Sequence, residues 1–399
     1  MLKREIRKNV MMMGAVDWDR RLFDSLIPLP DGTSYNAYLV TGKDKTVLLD
    51  TVDPAMTGVL MDQLQEIDKI DYLVSHHAEQ DHSGSIPAVL EKHPQCRVVC
   101  TPKCRDMLMD HLGVDSDRFI TVEDGDTMDL GGGYQLKFIH TPWVHWPETM
   151  CTYLEKERIL FSCDFFGSHL ATTDMYVTDP GRVYEAAKRY YAEIMMPFRK
   201  VITRNLDKVE ALDIDIIAPS HGPMYGDPQF IIDAYREWVD PMPKNQVVIP
   251  YVSMHGSTEM MVKHLISALA QRGISVSLFE LSSTDIGKLA IALVDAGTLI
   301  LGAPTVHVGV HPLAHYGAYL ANILRPKIRF ASVVGSYGWN SNAVEQVAGL
   351  IPWLKVEILD PVICKGRPEE EDFQALDRLA DQVLDAHKKS GIIREMQKV

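Results

Sequence analysis

The chain has 399 residues, enough for two domains, and its formal net charge is −14 with a pI near 5.5. This acidic balance argues against nucleic acid as a partner, because phosphate binding requires a basic face. No apolar run approaches the ~20 residues that a membrane-spanning helix needs. The charged N-terminal segment lacks the apolar core of a signal peptide, so we expect a cytoplasmic protein without membrane contact.

The densest group of polar side chains is the segment Ser75–Gly84, which follows the strand-like run Ile70–Val74. Imidazole nitrogens and carboxylate oxygens are metal ligands. Several of them in one loop would repel and desolvate one another without a cation. The ligand types in this segment are His77, Glu79, Asp81 and His82.

Three later segments place a metal-ligand residue beside turn residues, each after an apolar run. They are His145 after 136–139, Asp164 after 159–161, and His221 after 214–218. Strand ends that lead into polar loops are where active sites collect. Together with the earlier segment, these residues predict one two-metal site that is also the catalytic centre. Its members are His77, Glu79, Asp81, His82, His145, Asp164 and His221.

The identity of residue 79 favours iron over zinc. The spacing His77-x-Glu79-x-Asp81-His82, with the three later residues, resembles the metallo-β-lactamase superfamily. Hydrolytic members of that superfamily carry a histidine where this chain has Glu79. The additional carboxylate makes the site harder and more anionic. Oxygen donors stabilise ferric iron, whereas zinc has no redox role.

The second half of the chain contains a candidate phosphate-binding loop. The strand-like run Gln246–Ser253 is followed by the short loop Met254–Thr258 and by helical periodicity over Glu259–Ala270. In such a loop, backbone N–H groups, hydroxyls and the helix N-terminus face an anion. The loop lacks both the Gly-Lys-Ser/Thr ending and the Gly-x-Gly-x-x-Gly pattern. It suits a monophosphate such as FMN, and an ordinary Ser/Thr helix cap is the alternative.

Strand-like and helical runs alternate through the rest of this half. Strands are expected at 276–281, 298–302, 328–334 and 355–359, with helices near 284–294, 312–325, 342–351 and 368–388. With the first strand, this predicts a five-stranded parallel sheet in the flavodoxin-like order, with a ligand at the carboxyl ends of its strands.

Two loops leave those ends, Gly302–Gly309 and Gly335–Asn340, and we expect them to hold an isoalloxazine ring, with aromatic side chains as flat partners. The predicted cofactor-binding residues are Ser253, Met254, His255, Gly256, Ser257, Thr258, Pro304, Thr305, Val306, His307, Gly309, Ser336, Tyr337, Gly338, Trp339 and Asn340.

Taken together, these motifs make the whole chain resemble the flavodiiron proteins, or A-type flavoproteins. The resemblance implies an α/β protein with an N-terminal metallo-β-lactamase-like αββα sandwich over residues 1–243. A C-terminal flavodoxin-like, doubly wound parallel sheet would follow over 244–399. The connector Pro241-Met242-Pro243 supports this boundary, since two prolines end a helix and stiffen a linker.

The resemblance also implies FMN and two non-haem irons joined by an oxo or hydroxo bridge. Three residues would bind one iron: His77, Glu79 and His145. Three would bind the other: Asp81, His82 and His221. Asp164 would bridge them. Some relatives place the histidine at 82 away from the metal. His76 and His169 are expected to support the site or the fold. Val306 and His307 stand where an aromatic and an amide are often found.

The activity that the resemblance implies is reduction of dioxygen to water, of nitric oxide to nitrous oxide, or of both, with FMN as the proximal electron donor. The expected assembly is a head-to-tail homodimer or a dimer of dimers. The chain contains no Cys-x-x-Cys pair and no rubredoxin module. We therefore expect a separate donor, such as rubredoxin, a flavin reductase or a deazaflavin.

Two other functions are compatible with parts of the pattern. One is a zinc-dependent hydrolase of the metallo-β-lactamase type with a fused flavodoxin docking module. The other is an electron carrier whose metal domain serves only as scaffold. Glu79 argues against the first, and retention of all the ligand types argues against the second.

Overall fold

The structure, a computed structural model, describes residues 3–393. The chain divides into two compact units, with the boundary between Val239 and Asp240. Residues 192–197 cluster with the second unit although they lie within the first in sequence. Among the described residues, no helix is long and apolar enough to cross a membrane.

The described part of the first unit contains two large sheets, a separate two-stranded sheet and the covering helices. Its strands are β1 (Arg4–Arg7), β2 (Val10–Asp17), β3 (Leu22–Phe23), β4 (Ile27–Pro28), β5 (Thr33–Thr41), β6 (Thr46–Leu49), β7 (Tyr72–Val74), β8 (Arg97–Cys100), β9 (Phe119–Thr121), β10 (Thr127–Asp129), β11 (Gln135–His140), β12 (Met150–Leu154), β13 (Ile159–Cys163) and β14 (Ile216–Pro219). Its helices are α1 (Thr57–Gln63), α2 (Gln80–Ser83), α3 (Ile86–Lys92), α4 (Pro102–Leu112), α5 (Pro180–Tyr190), α6 (Arg199–Glu210) and α7 (Pro228–Val239).

The two sheets pack face to face. One has the order β1-β2-β5-β6-β7-β8-β9 and the other β10-β11-β12-β13-β14. Apolar residues of both inner faces form one core, in which Tyr38 contacts Phe161 with ring centroids 5.0 Å apart. A second core packs Leu48 and Leu73 of the first sheet against Leu60 and Leu108 of the helices on its outer face. Successive residues of a strand point to opposite faces of the sheet, so neighbouring residues of one strand enter different cores.

The candidate ligands follow strand ends in this unit. Strands β6, β7, β8 and β9 are parallel neighbours, and β13 pairs with β14 in parallel. The segment after β7 holds the first group of predicted ligands, Asp164 directly follows β13, and His221 lies two residues beyond β14. Loops on a rigid scaffold can fix side chains that are far apart in sequence.

The second unit is a doubly wound sheet. Its strands are β15 (Gln246–Tyr251), β16 (Ser275–Glu280), β17 (Thr298–Val306), β18 (Gly309–Val310), β19 (Phe330–Tyr337), β20 (Glu357–Ile358) and β21 (Val362–Lys365). Its helices are α8 (Ser257–Gln271), α9 (Ile286–Asp295), α10 (Pro312–Leu324), α11 (Ala343–Leu350) and α12 (Glu370–Lys389). The order β16-β15-β17-β19-β20 is parallel throughout, with β21 also paired to β19.

The predicted loop Gly302–Gly309 was wrong in its conformation. Strand β17 continues through Val306 and pairs with β18, so this segment is a hairpin. Its turn residues His307 and Val308 have φ of 48° and 72°. The β-branched side chains of Thr305 and Val306 favour extended backbone, which explains the longer strand.

The predicted strand 355–359 is also different in the structure. Only Glu357–Ile358 pairs there, and the edge resumes at Val362–Lys365 after Asp360 and Pro361. Proline has no N–H to donate, so it interrupts the hydrogen bonding of an edge strand.

Candidate metal centre and cofactor cavity

Four of the predicted ligands form one group of converging donors: His77, Glu79, His145 and Asp164. The Nε2 atoms of both histidines lie 3.1 Å from Oε2 of Glu79. They lie 3.5 Å and 3.4 Å, respectively, from Oδ2 of Asp164. Two imidazole nitrogens and two carboxylates therefore face a common point.

The remaining predicted ligands form a second group beside the first: Asp81, His82 and His221. Nε2 of His221 lies 3.2 Å from an Asp81 oxygen, and Nε2 of His82 lies 3.4 Å from the other. Oδ1 of Asp164 lies 2.9 Å from His82 and 3.3 Å from His221. The two Asp164 oxygens thus face different groups, which is the arrangement of a bridging carboxylate. His82 therefore lies within the second donor group, with Asp81 and His221.

Local backbone structure holds these side chains in place. Glu79 is the extended N-cap residue of the one-turn helix α2, which carries Asp81 and His82 on its short turn. The carbonyl of His82 accepts hydrogen bonds from both the N–H and the hydroxyl of Thr51, at 2.7 and 2.6 Å. Next to His221, Gly222 has φ of 79°, and an added Cβ would lie 2.1 Å from Oγ of Ser168. Only glycine fits there.

The electrostatics of the cluster indicate a cation-binding site. Burial disfavours a charged imidazole, yet the neighbouring carboxylates of Asp164 and Asp81 raise the pKa of His221 to about 10. Burial opposes charge at His145 too, but Asp164 and Glu79 raise its pKa to about 9. Burial alone would raise the pKa of Glu79, and the neighbouring histidines lower it well below its usual range. In the metal-free protein, protons supply the positive charge that these carboxylates attract.

The donor atoms fit metal ions because their hydrogen-bonding capacity is unmet. Both carboxylate oxygens of Asp81 and Asp164, and Nε2 of His82, are buried without a hydrogen-bond partner. Among residues 3–393, no lysine or arginine pairs with either carboxylate. Unsatisfied buried polar atoms are costly, and coordination would satisfy them. The set of four imidazoles and three carboxylates can hold two ions of a redox-active metal.

Glu148 is a functional residue that sequence reasoning missed. Its side chain is buried, and Oε1 accepts from Nδ1–H of His77 at 2.7 Å and from the N–H of Ala78 at 3.0 Å. Burial would raise the pKa of Glu148, but the bond with His77 lowers it. This contact presents Nε2 of His77 to the cluster, as outer carboxylates do for metal-bound histidines. The only sequence signal was a carboxylate three residues after His145.

The two other histidines near the motifs lie outside the two donor groups. His76 is held between Asp50 and Thr152, with both contacts at 2.7 Å. Nδ1 of His169 lies 2.9 Å from the hydroxyl of Thr33, and its ring centroid lies 4.8 Å from that of His221. Burial lowers the pKa of His169 well below its usual range, so it is a neutral neighbour of the cluster.

The second unit contains a cavity of about 530 Å³ at the carboxyl ends of its strands. It is lined by Ser253, Met254, His255, Ser257, Thr258, Pro304, Thr305, Val306, His307, Ser336, Tyr337, Gly338, Trp339, Gly366 and Arg367. Of the predicted cofactor-binding residues, all of which the structure describes, Gly256, Gly309 and Asn340 are not in this lining. Gly366 and Arg367 were not predicted.

Backbone and hydroxyl groups shape one end of this cavity. Oγ of Ser253 accepts from the N–H groups of Gly256 and Glu259 at 3.2 and 3.3 Å, which curls the loop around the N-terminus of α8. Gly256 has φ of 88°, a conformation that favours glycine. The hydroxyl of Thr258 lies 3.3 Å from that of Ser336. Such a loop is a cradle for a phosphate.

Aromatic side chains line the cavity beside the end of β19, at what we call its aromatic end. Tyr337 is the last residue of β19, and Trp339 lies two residues beyond it and is 76% exposed. An exposed indole beside a phosphate cradle offers a stacking surface for an aromatic ring. A phosphate cradle and an exposed aromatic side chain in one cavity therefore fit a flavin mononucleotide.

Comparisons with known proteins agree with these features. A family model described as ODP family beta lactamase matches residues 33–222. A nitric oxide reductase from Moorella thermoacetica is 36% identical, over 92% of this chain and 95% of that protein. Rubredoxin oxygen:oxidoreductase from Desulfovibrio gigas has a TM-score of 0.93 at 28% identity, covering 97% of this chain and 99% of that one. The flavodiiron protein from Giardia intestinalis has a TM-score of 0.89 at 28% identity, covering 97% and 98%.

The matches extend over both compact units and confirm the predicted fold class. The first unit is a metallo-β-lactamase-like αββα sandwich, and the second is a flavodoxin-like doubly wound sheet. At this identity and coverage, the relatives share one family and not only one fold. The chain belongs to the flavodiiron protein family and is an oxidoreductase.

Proposed function

We propose that this protein reduces dioxygen to water, nitric oxide to nitrous oxide, or both, at two non-haem irons, with FMN as the proximal electron donor. The carboxylate of Asp164 carries this proposal, because its two oxygens face two separate groups of donors. A relative named nitric oxide reductase and a structural neighbour named rubredoxin oxygen:oxidoreductase support the same assignment.

The seven converging side chains would hold the irons. Those assigned to one iron are His77, Glu79 and His145. Those assigned to the other are Asp81, His82 and His221, with Asp164 shared. When bound, the irons and the flavin supply the electrons, four for dioxygen to become two waters and two for a pair of nitric oxides to become nitrous oxide and water.

The protein's own contribution at the metal centre is orientation and exclusion of water. Glu148 and the carbonyl of Ser34 accept from Nδ1–H of His77 and of His221, both at 2.7 Å. Each contact fixes the tautomer that leaves Nε2 as a metal ligand. Both histidines are buried, so water has little access to the donors that they present. A dry site strengthens the attraction between the carboxylates and the ions.

In the second unit, the cradle around α8 would hold the FMN phosphate through N–H and hydroxyl donors. The hairpin turn at His307 and the aromatic end at Trp339 would contact the ring. The hairpin that includes residues 304–309 brings Pro304, Thr305, Val306 and His307 to the cavity. This supports ring contacts there, although the residues differ from those usual in the family.

The donor of electrons to FMN would be a separate molecule, such as rubredoxin, a flavin reductase or a deazaflavin. We further propose that subunits pair head to tail, as a homodimer or a dimer of dimers, so that the FMN of one subunit serves the metal centre of its partner. The cytoplasm, with its reduced donors, is the proposed compartment.

Gas consumption by the iron-loaded protein tests the function. The protein is reduced without oxygen, and consumption of dioxygen and of nitric oxide is then followed in parallel with each candidate donor. We expect consumption with products in proportion to the electrons supplied. Two zinc ions in place of iron would instead support the hydrolase, and iron-loaded protein that consumes neither gas would support the electron carrier.

A mixing experiment tests the subunit pairing. One variant loses a metal ligand through Asp164→Asn. The other has weakened FMN binding through Thr258→Ala with Trp339→Ala, and it is stripped of flavin and assayed without added FMN. Neither homomer should be active, whereas mixed subunits should regain part of the activity, because some pairs combine an intact cavity with an intact partner centre. Exchange confirmed by mass spectrometry, with no recovered activity, would contradict pairing across subunits.

A further inference from the structure

Arg367 lies on a turn that is held against the cofactor cavity. The turn follows β21, and the N–H of Gly366 donates to the carbonyl of Tyr337 at 2.8 Å. Pro368 on its other side is buried, and proline fixes its own φ. Arg367 itself is exposed and lines the cavity. Its backbone position is therefore fixed while its guanidinium can reach a ligand.

Arg367 is the only lysine or arginine among the residues that line the cavity. The loop 253–258 contains neither. Two acidic residues have other contacts: Glu259 in the first turn of α8 pairs with Lys263 at 2.5 Å, and Glu369 caps the first turn of α12. Glu370 and Glu371 of that turn are exposed to solvent. In the part of the chain that the structure describes, no carboxylate is paired with Arg367. Its charge remains available to an anion.

The turn that carries Arg367 lies beside the phosphate end of the cavity. Sγ of Cys364, three residues before it, lies 3.5 Å from Sδ of Met261 in the second turn of α8. Helices α8 and α12 share one apolar core, in which Met261 and Cys364 are both buried. The turn between β21 and α12 is thus on the side of the sheet that α8 occupies. Cys364 also pairs with Ser336 of β19, whose hydroxyl lies 3.3 Å from that of Thr258 in the first turn of α8.

We propose that Arg367 is the counter-charge to the FMN phosphate and gives the cavity its preference for FMN over riboflavin. A phosphate monoester carries close to two negative charges at neutral pH. Backbone and hydroxyl donors can bind it, yet in a chain of net charge −14 they supply no positive charge to offset it. A guanidinium can donate two parallel hydrogen bonds to phosphate oxygens. This inference rests on the proposed binding of FMN.

The test compares Arg367→Gln with a matched control, Lys365→Gln, which removes the same charge two residues away at an exposed position outside the cavity lining. FMN and riboflavin are each titrated into flavin-free protein, with binding followed by quenching of flavin fluorescence. We expect Arg367→Gln to weaken FMN binding about tenfold, as for loss of one charge-assisted contact. Riboflavin binding should change less than about twofold, because both ligands share the ring contacts.

Ionic strength provides a second measurement. Wild-type FMN affinity should fall as salt is raised, and this dependence should be smaller in Arg367→Gln, since screening acts on the interaction that the variant lacks. Arg367→Lys should recover part of the loss. Equal losses for FMN and riboflavin, or an equal effect of the Lys365→Gln control, would overturn the assignment. Wild-type protein that binds no FMN would overturn the proposed function itself.

Discussion

The side chains of the metal cluster are at most 13% exposed, whereas Trp339 in the cofactor cavity is 76% exposed. In the cluster, side-chain donors from distant loops converge, and buried atoms of Asp81 and Asp164 have no other partner. In the cavity, Ser253 accepts from the N–H groups of Gly256 and Glu259, and the side chain of Trp339 faces solvent. The buried carboxylates of the metal cluster need a cation to neutralise them, whereas the cofactor cavity is open to solvent.

This difference has consequences for the size of mutational effects. A buried charged donor has few alternatives when its partner changes, because the low dielectric strengthens every interaction around it. An exposed contact is shared with water, and losing it costs less. Substitutions in the cluster should therefore have large effects on metal content, and substitutions in the cavity should have modest effects on flavin affinity.

The largest effect is expected from Asp164→Asn. The amide keeps the shape but removes the charge that both donor groups share. We expect iron content to fall to about one ion or fewer per chain, and gas consumption to fall more than about 100-fold, beyond the range for outer contacts. Flavin content should stay unchanged. Iron and flavin are measured together by elemental analysis and absorption.

The matched control for this change is Asp110→Asn, an exposed carboxylate on α4. It should retain both irons and full activity. Normal iron content in Asp164→Asn would mean that the shared carboxylate does not bridge, and the comparison between the two regions would lose its basis.

Glu148→Gln tests whether contacts behind the ligands matter as much as the ligands. Glutamine can still accept from Nδ1–H of His77 but without negative charge. Changes of this kind typically cost 10- to 100-fold in metal affinity. We expect iron affinity to fall by about 30-fold, measured anaerobically by competition with a chelator. Glu155→Gln, an exposed control, should bind iron like the wild type. An unchanged iron affinity in Glu148→Gln would mean that the contact with His77 has only a structural role.

Sequence alone predicted the side chains that converge in the cluster because their residue types are rare at strand ends. His77, His145 and His221 follow apolar runs, and such histidines have few structural uses in combination. Glu148 could not be identified in this way. Its role depends on a bond to His77 at a sequence separation of 71, which no local pattern encodes.

The cavity was predictable in topology but less so in detail. Alternating strands and helices predicted the parallel sheet. The predicted loops 302–309 and 335–340 were wrong in part, because β17 continues to Val306 and β19 to Tyr337. The hairpin at Thr305–Val310 was missed because the pairing partner of a strand end is a tertiary feature. Arg367 was missed because an exposed arginine after a short edge strand resembles any surface arginine. The position of its turn beside α8 follows from tertiary packing, such as that of Cys364 on Met261, which no local sequence pattern shows.

Low pH should affect the two regions differently, because the pKa values of their buried histidines are shifted in opposite directions. Carboxylates raise the pKa values of His145 and His221 in the metal-free cluster, whereas burial lowers the pKa of His387 in the second unit to about 4. Within residues 3–393, the ring nitrogens of His387 hydrogen-bond to two uncharged side chains, Thr298 at 2.7 Å and Asn245 at 2.8 Å. Between its ordinary pKa of 6.5 and about 4, the unfolded chain binds a proton that the folded chain does not. Stability of the second unit therefore falls as pH falls through this window.

We expect this loss to reach about 2 kcal/mol at pH 4, allowing for partial screening. Opening free energies from hydrogen exchange of β17 and α12 amides report it for this unit alone. His387→Asn should flatten the pH dependence, because the amide can bond to both partners without titrating. His264→Asn, at a half-exposed histidine of α8, should leave it unchanged. If the opening free energies of wild type and His387→Asn depended on pH in the same way, the acid sensitivity would belong to other groups.

The smallest effect is expected from Trp339→Ala, which removes an aromatic side chain that is 76% exposed. Stacking of an aromatic side chain on a heterocycle contributes about 1 kcal/mol where solvent reaches it, so FMN and riboflavin should both bind about fivefold more weakly. Trp353→Ala is the matched control, since this tryptophan is 55% exposed and packs under Arg325 outside the cavity. Iron content should not change in either variant. A loss of iron in Trp339→Ala would contradict the separation of the two regions, whereas a selective loss of FMN over riboflavin would place the phosphate, and not the ring, at the aromatic end.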